Sequence, residues 1–291
     1  MTATLAFQLA IAGISVGSIY ALVALAIVIP FKASGVLNFG QGEMVTGGAY
    51  IALVLTTLAL PYPVVLALVV LIGAIGGIVI ERALIRPIIR APEFTIVIAT
   101  FAIGLLIKGV ISLRFGDSPA ALDGPFGTDP LMFAGLRFNP TSLWVFVCML
   151  LVTFAVIAFF KYTRLGKAMR AVSINAEAAR LMGIRVDSVW RWAWAISTAI
   201  GALAGLLVAP VIGVNPEIGT LILRGLVAAV IGGFTSVPGA IIGGIAVGLI
   251  ETFSGVIVGS TFKNLVPFII LMLLLVFRPY GLFGVAEAKR V

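Results

Sequence analysis

The chain has 291 residues, 62% of them hydrophobic, with 19 Lys and Arg against 11 Asp and Glu for a formal charge of +8. A mean hydropathy of +1.24, with an apolar share far above the roughly 45–50% of soluble domains, makes hydrocarbon the solvent and excludes a soluble globular fold. The absence of His excludes His-based zinc sites and Ser-His-Asp triads, and the lone Cys148, inside an apolar run, excludes an internal disulfide and reads as a small buried hydrophobe.

No Lys or Arg precedes Lys32, so the start lacks the basic region of a cleaved leader and the first apolar run is expected to remain as a span. Apolar runs follow at about 5–30, 44–60, 63–80, 94–113, 143–160, 189–213, 221–234, 240–258 and 265–277. Each approaches the length needed to cross roughly 30 Å of hydrocarbon. The expected fold is an all-α polytopic membrane bundle of eight or nine segments, forming one membrane domain over 1–291. The runs near 44 and 221 are short and Gly-rich. Either reads as a broken or re-entrant helix, which is tolerated only where protein covers its backbone.

Basic residues set the orientation. Arg82, Arg86 and Arg90 share one connection, Lys161, Arg164, Lys167, Arg170, Arg180 and Arg185 another, and Arg278, Lys289 and Arg290 close the chain. Cytoplasmic connections concentrate Lys and Arg, so these three are assigned to the cytoplasm, with 161–188 as a cytoplasmic loop. With nine crossings the connection 114–142, carrying Asp117, Asp123 and Asp129 against Arg114 and Arg137, becomes a periplasmic loop and the N-terminus lies outside. Trp190, Trp192 and Trp194 mark the interfacial belt, and Trp144 opens another span. Glycines four apart (Gly13/Gly17, Gly73/Gly77, Gly201/Gly205, Gly239/Gly243, Gly244/Gly248, Gly255/Gly259) predict close helix packing.

Four polar features stand out against this background. In Asn38-Phe39-Gly40-Gln41-Gly42-Glu43 polar side chains and glycines interrupt a membrane segment. The stretch reads either as part of a translocation pathway, where a broken helix offers free N–H and C=O groups, or as a turn in which Glu43 caps the next helix. Glu251, late in an apolar run, is expected to face a cavity, a partner or the interface, with Arg224 or Lys263 as its counter-ion; Lys108 is expected to snorkel outward. Gly232-Gly233 and Ser236 to Gly239 read as a tight inner turn or a gate hinge. In "SINAEAARLMGIRVDSVW", Asn175 is an N-cap, Glu177 a first-turn anion and Gly183 a C′ glycine, so a helix of about two turns is expected, followed by capping of the next span by Asp187 or Ser188. A helix so short needs an external hold, from the loop, a partner or the lipid surface.

Glu177-Ala178-Ala179, then Arg180-Leu181-Met182, then Gly183 resembles the E-A-A-x-x-x-G signature of permease subunits of ABC importers. Its downstream extension is missing from Trp192 to Ile196, which points to a subfamily. "GVLNFGQGEMVTGGAY", "NAEAARLMGI", "VAAVIGGFTSVPGAIIGGIAVGLIE" and "LLLVFRPYGLFG" are similar to segments of the shorter of the paired permeases of branched-chain amino acid importers. The resemblance implies a type II-like importer permease of the bacterial inner membrane, working by alternating access. It also implies a second homologous permease, two cytoplasmic ATPase subunits, a periplasmic substrate-binding protein, an amino-acid substrate, and no catalytic side chain. Asn175, Glu177, Ala178, Ala179, Arg180 and Gly183 would then couple to the ATPase, and Asn38, Gln41, Gly42, Glu43 and Glu251 would lie along the path.

The chain lacks G-x-x-x-x-G-K-[ST]: its only Gly-Lys pair, Gly166-Lys167, precedes Ala168, so ATP is expected to be hydrolysed by a partner. No cofactor and no nucleic-acid partner are expected. Two rival classes remain, an ion-gradient-driven transporter and a lipid-active enzyme. The first lacks paired mid-membrane acids and a visible inverted repeat, and the second lacks chemistry. Among importers, urea, short amides and other amino acids are the alternative substrates.

Overall fold

The computed structural model describes residues 3–89, 91–127, 131–133, 136–259 and 261–284. Arg90, Asp129, Lys289 and Arg290, used above for orientation, lie outside the described residues. Helix α1 (Ala3–Ser34) is followed by α2 (Gln41–Thr57), α3 (Tyr62–Ile80), which continues through a π turn (Glu81–Ile85) and a 3-10 turn (Arg86–Ile88), and α4 (Glu93–Phe115). A two-stranded antiparallel hairpin, β1 (Leu131–Phe133) with β2 (Leu136–Phe138), interrupts the helical pattern. Then come α5 (Pro140–Tyr162), α6 (Arg164–Ile174), α7 (Ala176–Leu181), α8 (Val186–Ile212), a 3-10 turn (Pro216–Thr220), α9 (Leu221–Gly232), α10 (Val237–Ile257) and α11 (Val266–Phe277).

Six helices, α1, α3, α4, α5, α8 and α10, are long and apolar enough to cross a membrane. The remaining apolar runs form α2, α9 and α11, with 17, 12 and 12 residues, and at 1.5 Å per residue α9 and α11 reach only about 18 Å. All nine runs read from the sequence are therefore helices, three of them short.

Contacts along the bundle sort its two ends. At one end the Trp190 indole donates to the Ala33 carbonyl (3.1 Å), the Arg86 guanidinium donates to Asp187 (2.7 Å), and the Lys32 ammonium stands 5.6 Å from the centre of the Phe160 ring. Every basic residue of the 82–86 and 161–185 connections belongs to this basic end. At the far end Ala120 pairs with Val214 and the Trp144 indole donates to Tyr62 (3.3 Å). So α1 runs from the far end to the basic end, and α8 runs back.

These two helices are the core. Ile19 to Ile29 of α1 are all within 4% of full burial, as are Ala202, Ala204 and Leu206 to Ala209 of α8. In lipid no hydrophobic effect drives helices together, so close backbone approach must do it. A Cβ on Gly17 would meet the Ile245 backbone, and one on Gly248 the Gly17 backbone, which locks α1 against α10. Gly73 and Gly77 bed α3 on Ala202, Thr198 and Trp194 of α8; Gly201 and Gly205 seat Gln41, Val45 and Ala49 of α2; Gly239 and Gly243 meet Gly232 and Ala228 of α9. Gly255/Gly259 departs from the expectation: among the described residues only the Lys263 side chain approaches Gly255, and Gly259 (φ +95°) ends a turn. Trp194 departs too. It is 1% exposed in the core, while Trp192 stands 46% exposed beside it.

The glycine turn after α9 is tight, with the Ser236 hydroxyl accepting from Gly239 N (3.1 Å). The last described residues strap back onto it: Leu282 N donates to Ile231 O (2.8 Å) and Phe283 N to Gly232 O (3.2 Å). Apolar side chains such as Leu113 (90% exposed) and Val276 (78%) form the outer shell.

Replacing Gly17 by Leu is expected to force α1 off α10 at a cost of about 1–3 kcal/mol, read as a lower melting temperature in detergent. Gly76→Leu, at a position with open space around it, should leave the melting temperature unchanged.

Candidate functional site

The two half-length helices owe their start points to two matching interruptions. Pro30, near the end of α1, has no N–H and so leaves the Ala26 carbonyl without its helical donor. After α1 the chain reverses at Gly35 (φ +71°) and climbs back in extended form. There the Asn38 side chain accepts from Gly40 N (3.0 Å), and α2 begins at Gln41. The second interruption repeats the plan. Pro210 lies near the end of α8, Gly213 (φ +78°) reverses the chain, Asn215 accepts from Glu217 N (2.9 Å), and α9 follows. Only glycine takes such φ values without strain.

Helix rise sets the depth. Phe39 N donates to the Thr100 hydroxyl (3.1 Å), and Thr100 lies about 10 Å along α4 from the basic end. Gln41 Nε2 donates to the Ser197 carbonyl (3.2 Å), about 16 Å along α8. The first interruption is therefore inside the hydrocarbon, and Asn38 to Glu43 is not a surface turn. The second interruption meets it there: a Cβ on Gly42 would collide with the Gly219 carbonyl, and one on Gly219 with the Glu43 carboxylate. From this junction α2 runs to the far end and α9 to the basic end.

A buried polar network holds the junction. Gln41 is fully buried; its Oε1 accepts from Asn38 Nδ2 (3.0 Å), and the Ser197 hydroxyl lies 3.0 Å from the same oxygen and 2.6 Å from the Ala26 carbonyl. One hydroxyl proton thus serves the carbonyl that Pro30 left free. Beside it Glu43 Oε2 is buried with no hydrogen-bond partner among the described residues. Lys108 of α4 does not snorkel away; its Nζ donates to Glu217 Oε1 (2.8 Å), with the Glu217 side chain 69% exposed. The junction therefore has a buried side of amides and hydroxyls and an open side of charge.

Glu251 does not join this cluster. Its Oε2 accepts from the Tyr20 hydroxyl (2.8 Å) and from Arg224 Nε (3.1 Å), while Arg224 Nη2 donates to Asn264 (3.0 Å). This ties α10 to α1 and α9; of the two counter-ions expected, Arg224 is the one that pairs.

The coupling-loop residues form a separate unit at the basic end. The Asn175 side chain accepts from Ala178 N (2.9 Å) to start α7. Ile184 N donates to Ala179 O and Gly183 N to Arg180 O, both 3.0 Å, with Gly183 at φ +84°. This reciprocal closure suits glycine and ends the helix sharply. Around it Ile174, Leu181 and Met182 are 80–89% exposed. Neither Asp187 nor Ser188 caps α8: no side chain caps that helix, and Asp187 is held by Arg86.

The partners of the junction that sequence reading missed, Thr100, Ser197, Gly219 and the Lys108–Glu217 pair, are distant in sequence. One signal marked the stretch that holds Glu217 and Gly219: Asn-x-x-x-Gly follows each of the two long core helices, as Asn38 to Gly42 and as Asn215 to Gly219; Thr100, Ser197 and Lys108 have no such mark.

A helical membrane bundle with two opposed half-length helices abutting at mid-depth, and a capped surface helix at its basic end, has the architecture of a transport permease. The family model described as "Branched-chain amino acid transport system / permease component" matches residues 9–275. The chain belongs to that family and is a multi-pass inner-membrane protein. It is 30% identical to the high-affinity branched-chain amino acid transport system permease protein LivH of Salmonella typhimurium, with 96% of each chain covered. It is equally similar to the permease protein BraD of Pseudomonas aeruginosa (30%, 96% of each). The Ribose import permease protein RbsC of Escherichia coli is 26% identical, covering 88% of this chain and 81% of the relative. No solved structure matches the chain.

Removing the Arg224 side chain strands the Glu251 carboxylate in a buried setting, so Arg224→Met is expected to destabilise the fold by about 3–5 kcal/mol. Adding Glu251→Leu should restore most of the loss, and thermal melts of the four members of the cycle in detergent read it out.

Proposed function

We propose that this chain is one permease subunit of an ATP-driven importer that carries branched-chain amino acids across the bacterial inner membrane by alternating access. The basic end is cytoplasmic, in line with the distribution of Lys and Arg. The 161–188 loop meets the ATPases, and the 114–142 connection lies in the periplasm, toward a substrate-binding protein. One observation carries the reading: α7 is rigidly capped at both ends and still leaves Ile174, Leu181 and Met182 almost fully exposed. A two-turn helix is marginal alone, and an apolar collar of this kind around a polar helix suits insertion into a protein groove. Asn175, Glu177, Ala178, Ala179, Arg180 and Gly183 then act as a lever that ATPase closure moves.

Support for the path comes from the mid-depth junction. Its charged side, with Glu217 and Lys108 partly open, is untenable against lipid tails, so a second permease covers it and the substrate passes between. There the Glu43 carboxylate suits an α-ammonium, and the N-termini of two broken helices suit an α-carboxylate. Asn38, Gln41 and Gly42 hold those ends in place. The relatives named for branched-chain amino acids cover the chain almost end to end, which supports leucine, isoleucine and valine as cargo. Glu251, tied to Tyr20 and Arg224, serves the frame of the path.

In proteoliposomes that hold the full set of subunits, uptake should require both ATP trapped in the lumen and the soluble binding protein outside. Uptake driven by a proton or sodium gradient alone overturns the proposal. Gly183→Val, which forces a branched side chain into a left-handed backbone at about 1–3 kcal/mol, should leave membrane insertion intact and abolish ATPase co-purification. Glu43→Gln should keep ATPase association and lower transport at least about tenfold, the order expected when a charge-assisted contact of about 1.5–3 kcal/mol is lost.

A further inference from the structure

Between α7 and the joined ends of α3 and α8 lies a polar cleft of about 640 Å³; Arg180 and Gly183 on its wall belong to the lever proposed above, and the rest of the cleft has no part in the transport cycle. Four guanidinium groups line it, from Arg86, Arg180, Arg185 and Arg191, with Asp187 on its wall. Arg86 is engaged by Asp187 at 2.7 Å. Arg191 approaches Glu81 only to 4.0 Å, and its buried Nε has no hydrogen-bond partner among the described residues. Arg180 and Arg185 have no ion pair or side-chain hydrogen bond among the described residues. Four cations thus face two carboxylates, with two guanidinium forks wholly free and a third short of a partner.

We propose that this cleft binds the phosphate of an anionic phospholipid from the cytoplasmic leaflet. Planar guanidinium forks match phosphate oxygens in pairs. Position distinguishes a lipid phosphate from a soluble one. The cleft lies where the apolar run of α3 ends and α8 begins, at headgroup level. Trp190 lines its inner extension, and Trp192 stands 46% exposed next to it, as interfacial indoles do. Leu84, 46% exposed just before Arg86, offers apolar surface for the acyl chains. Basic pockets between membrane helices on the cytoplasmic side are a recurrent setting for anionic headgroups. A phosphate held by Arg180 on α7 and by Arg185 and Arg191 at the start of α8 would brace the lever from beneath, independently of what docks on its exposed apolar collar.

Each free Arg near the surface favours an anionic lipid by about 1 kcal/mol, about fivefold in partitioning, so the pair contributes about thirtyfold. The test uses the full-length chain in nanodiscs, in a Trp144→Phe background that leaves only the tryptophans near the cleft. Brominated phosphatidylglycerol should quench their fluorescence more than the same fraction of brominated phosphatidylcholine. The Arg180→Gln/Arg185→Gln double variant should lose that excess, and Arg180→Lys/Arg185→Lys should retain part of it. A single gel-filtration peak for both variants shows that the fold survives. Equal quenching by the two lipids, or an unchanged excess in the glutamine variant, overturns the proposal. Loss of the excess on adding millimolar inorganic phosphate overturns the lipid assignment in favour of a soluble oxyanion. Loss of it only when the ATPase is bound shows that an acidic protein segment is the occupant, and overturns it as well.

Discussion

Backbone rests on backbone where Gly42 meets Gly219, and the rest of the bundle is arranged so that this contact can exist inside hydrocarbon. Interrupting a membrane helix frees N–H and C=O groups that lipid cannot satisfy, each at a cost of several kcal/mol. Here two interruptions are brought together, so each covers the other. What remains unsatisfied is met by side chains: Asn38 and Asn215 take the first free N–H groups, and Ser197 takes the carbonyl orphaned by Pro30. A buried amide, Gln41, closes the network. The inner stretches of the long helices, Ile19 to Ile29 of α1 and Ala202 to Ala209 of α8, are buried because they are the walls of this junction.

The same elements show an inverted relation between the two halves of the chain. A long core helix with a late proline, a glycine reversal, an asparagine turn and a half-length helix occur first with α1 and α2, then with α8 and α9, running the opposite way. Packing follows the relation, since α1 lies against α10, the helix after α9, and α8 lies against α3, the helix after α2. Two units that share one contact surface and face opposite sides of a membrane are suited to rocking about it, with the junction as the fixed point.

How much of this was legible in the sequence differs by feature. The helices were legible because apolar runs bounded by Arg, Pro and Gly allow little else in lipid. The short surface helix could be read to the residue, since Asn175 and Gly183 act locally through their own backbone geometry. The interruption at Asn38 to Glu43 was visible as composition, but its depth was not, because depth is set by where Thr100 and Ser197 lie on other helices. Lys108 and Glu251 look alike in sequence, lone charges in apolar runs. One pairs with a residue more than a hundred positions away that no local signal names; the other pairs with Arg224, one of its two expected counter-ions, and with Tyr20, 231 positions away, which was not foreseen. The inverted relation escaped because it is carried by four short signals, Pro, Gly, Asn and Gly, with spacings that differ between the halves.

The strap formed by Leu282 and Phe283 on the end of α9 has a bearing on how the molecule is made. Synthesis delivers the chain from its first residue to its last, so the carbonyls of Ile231 and Gly232 emerge long before their donors do. The inner tip of α9 is therefore completed only after α10 and α11 have been made, and until residues 282 and 283 have left the ribosome one of the two helices that build the central junction lacks its lower clasp.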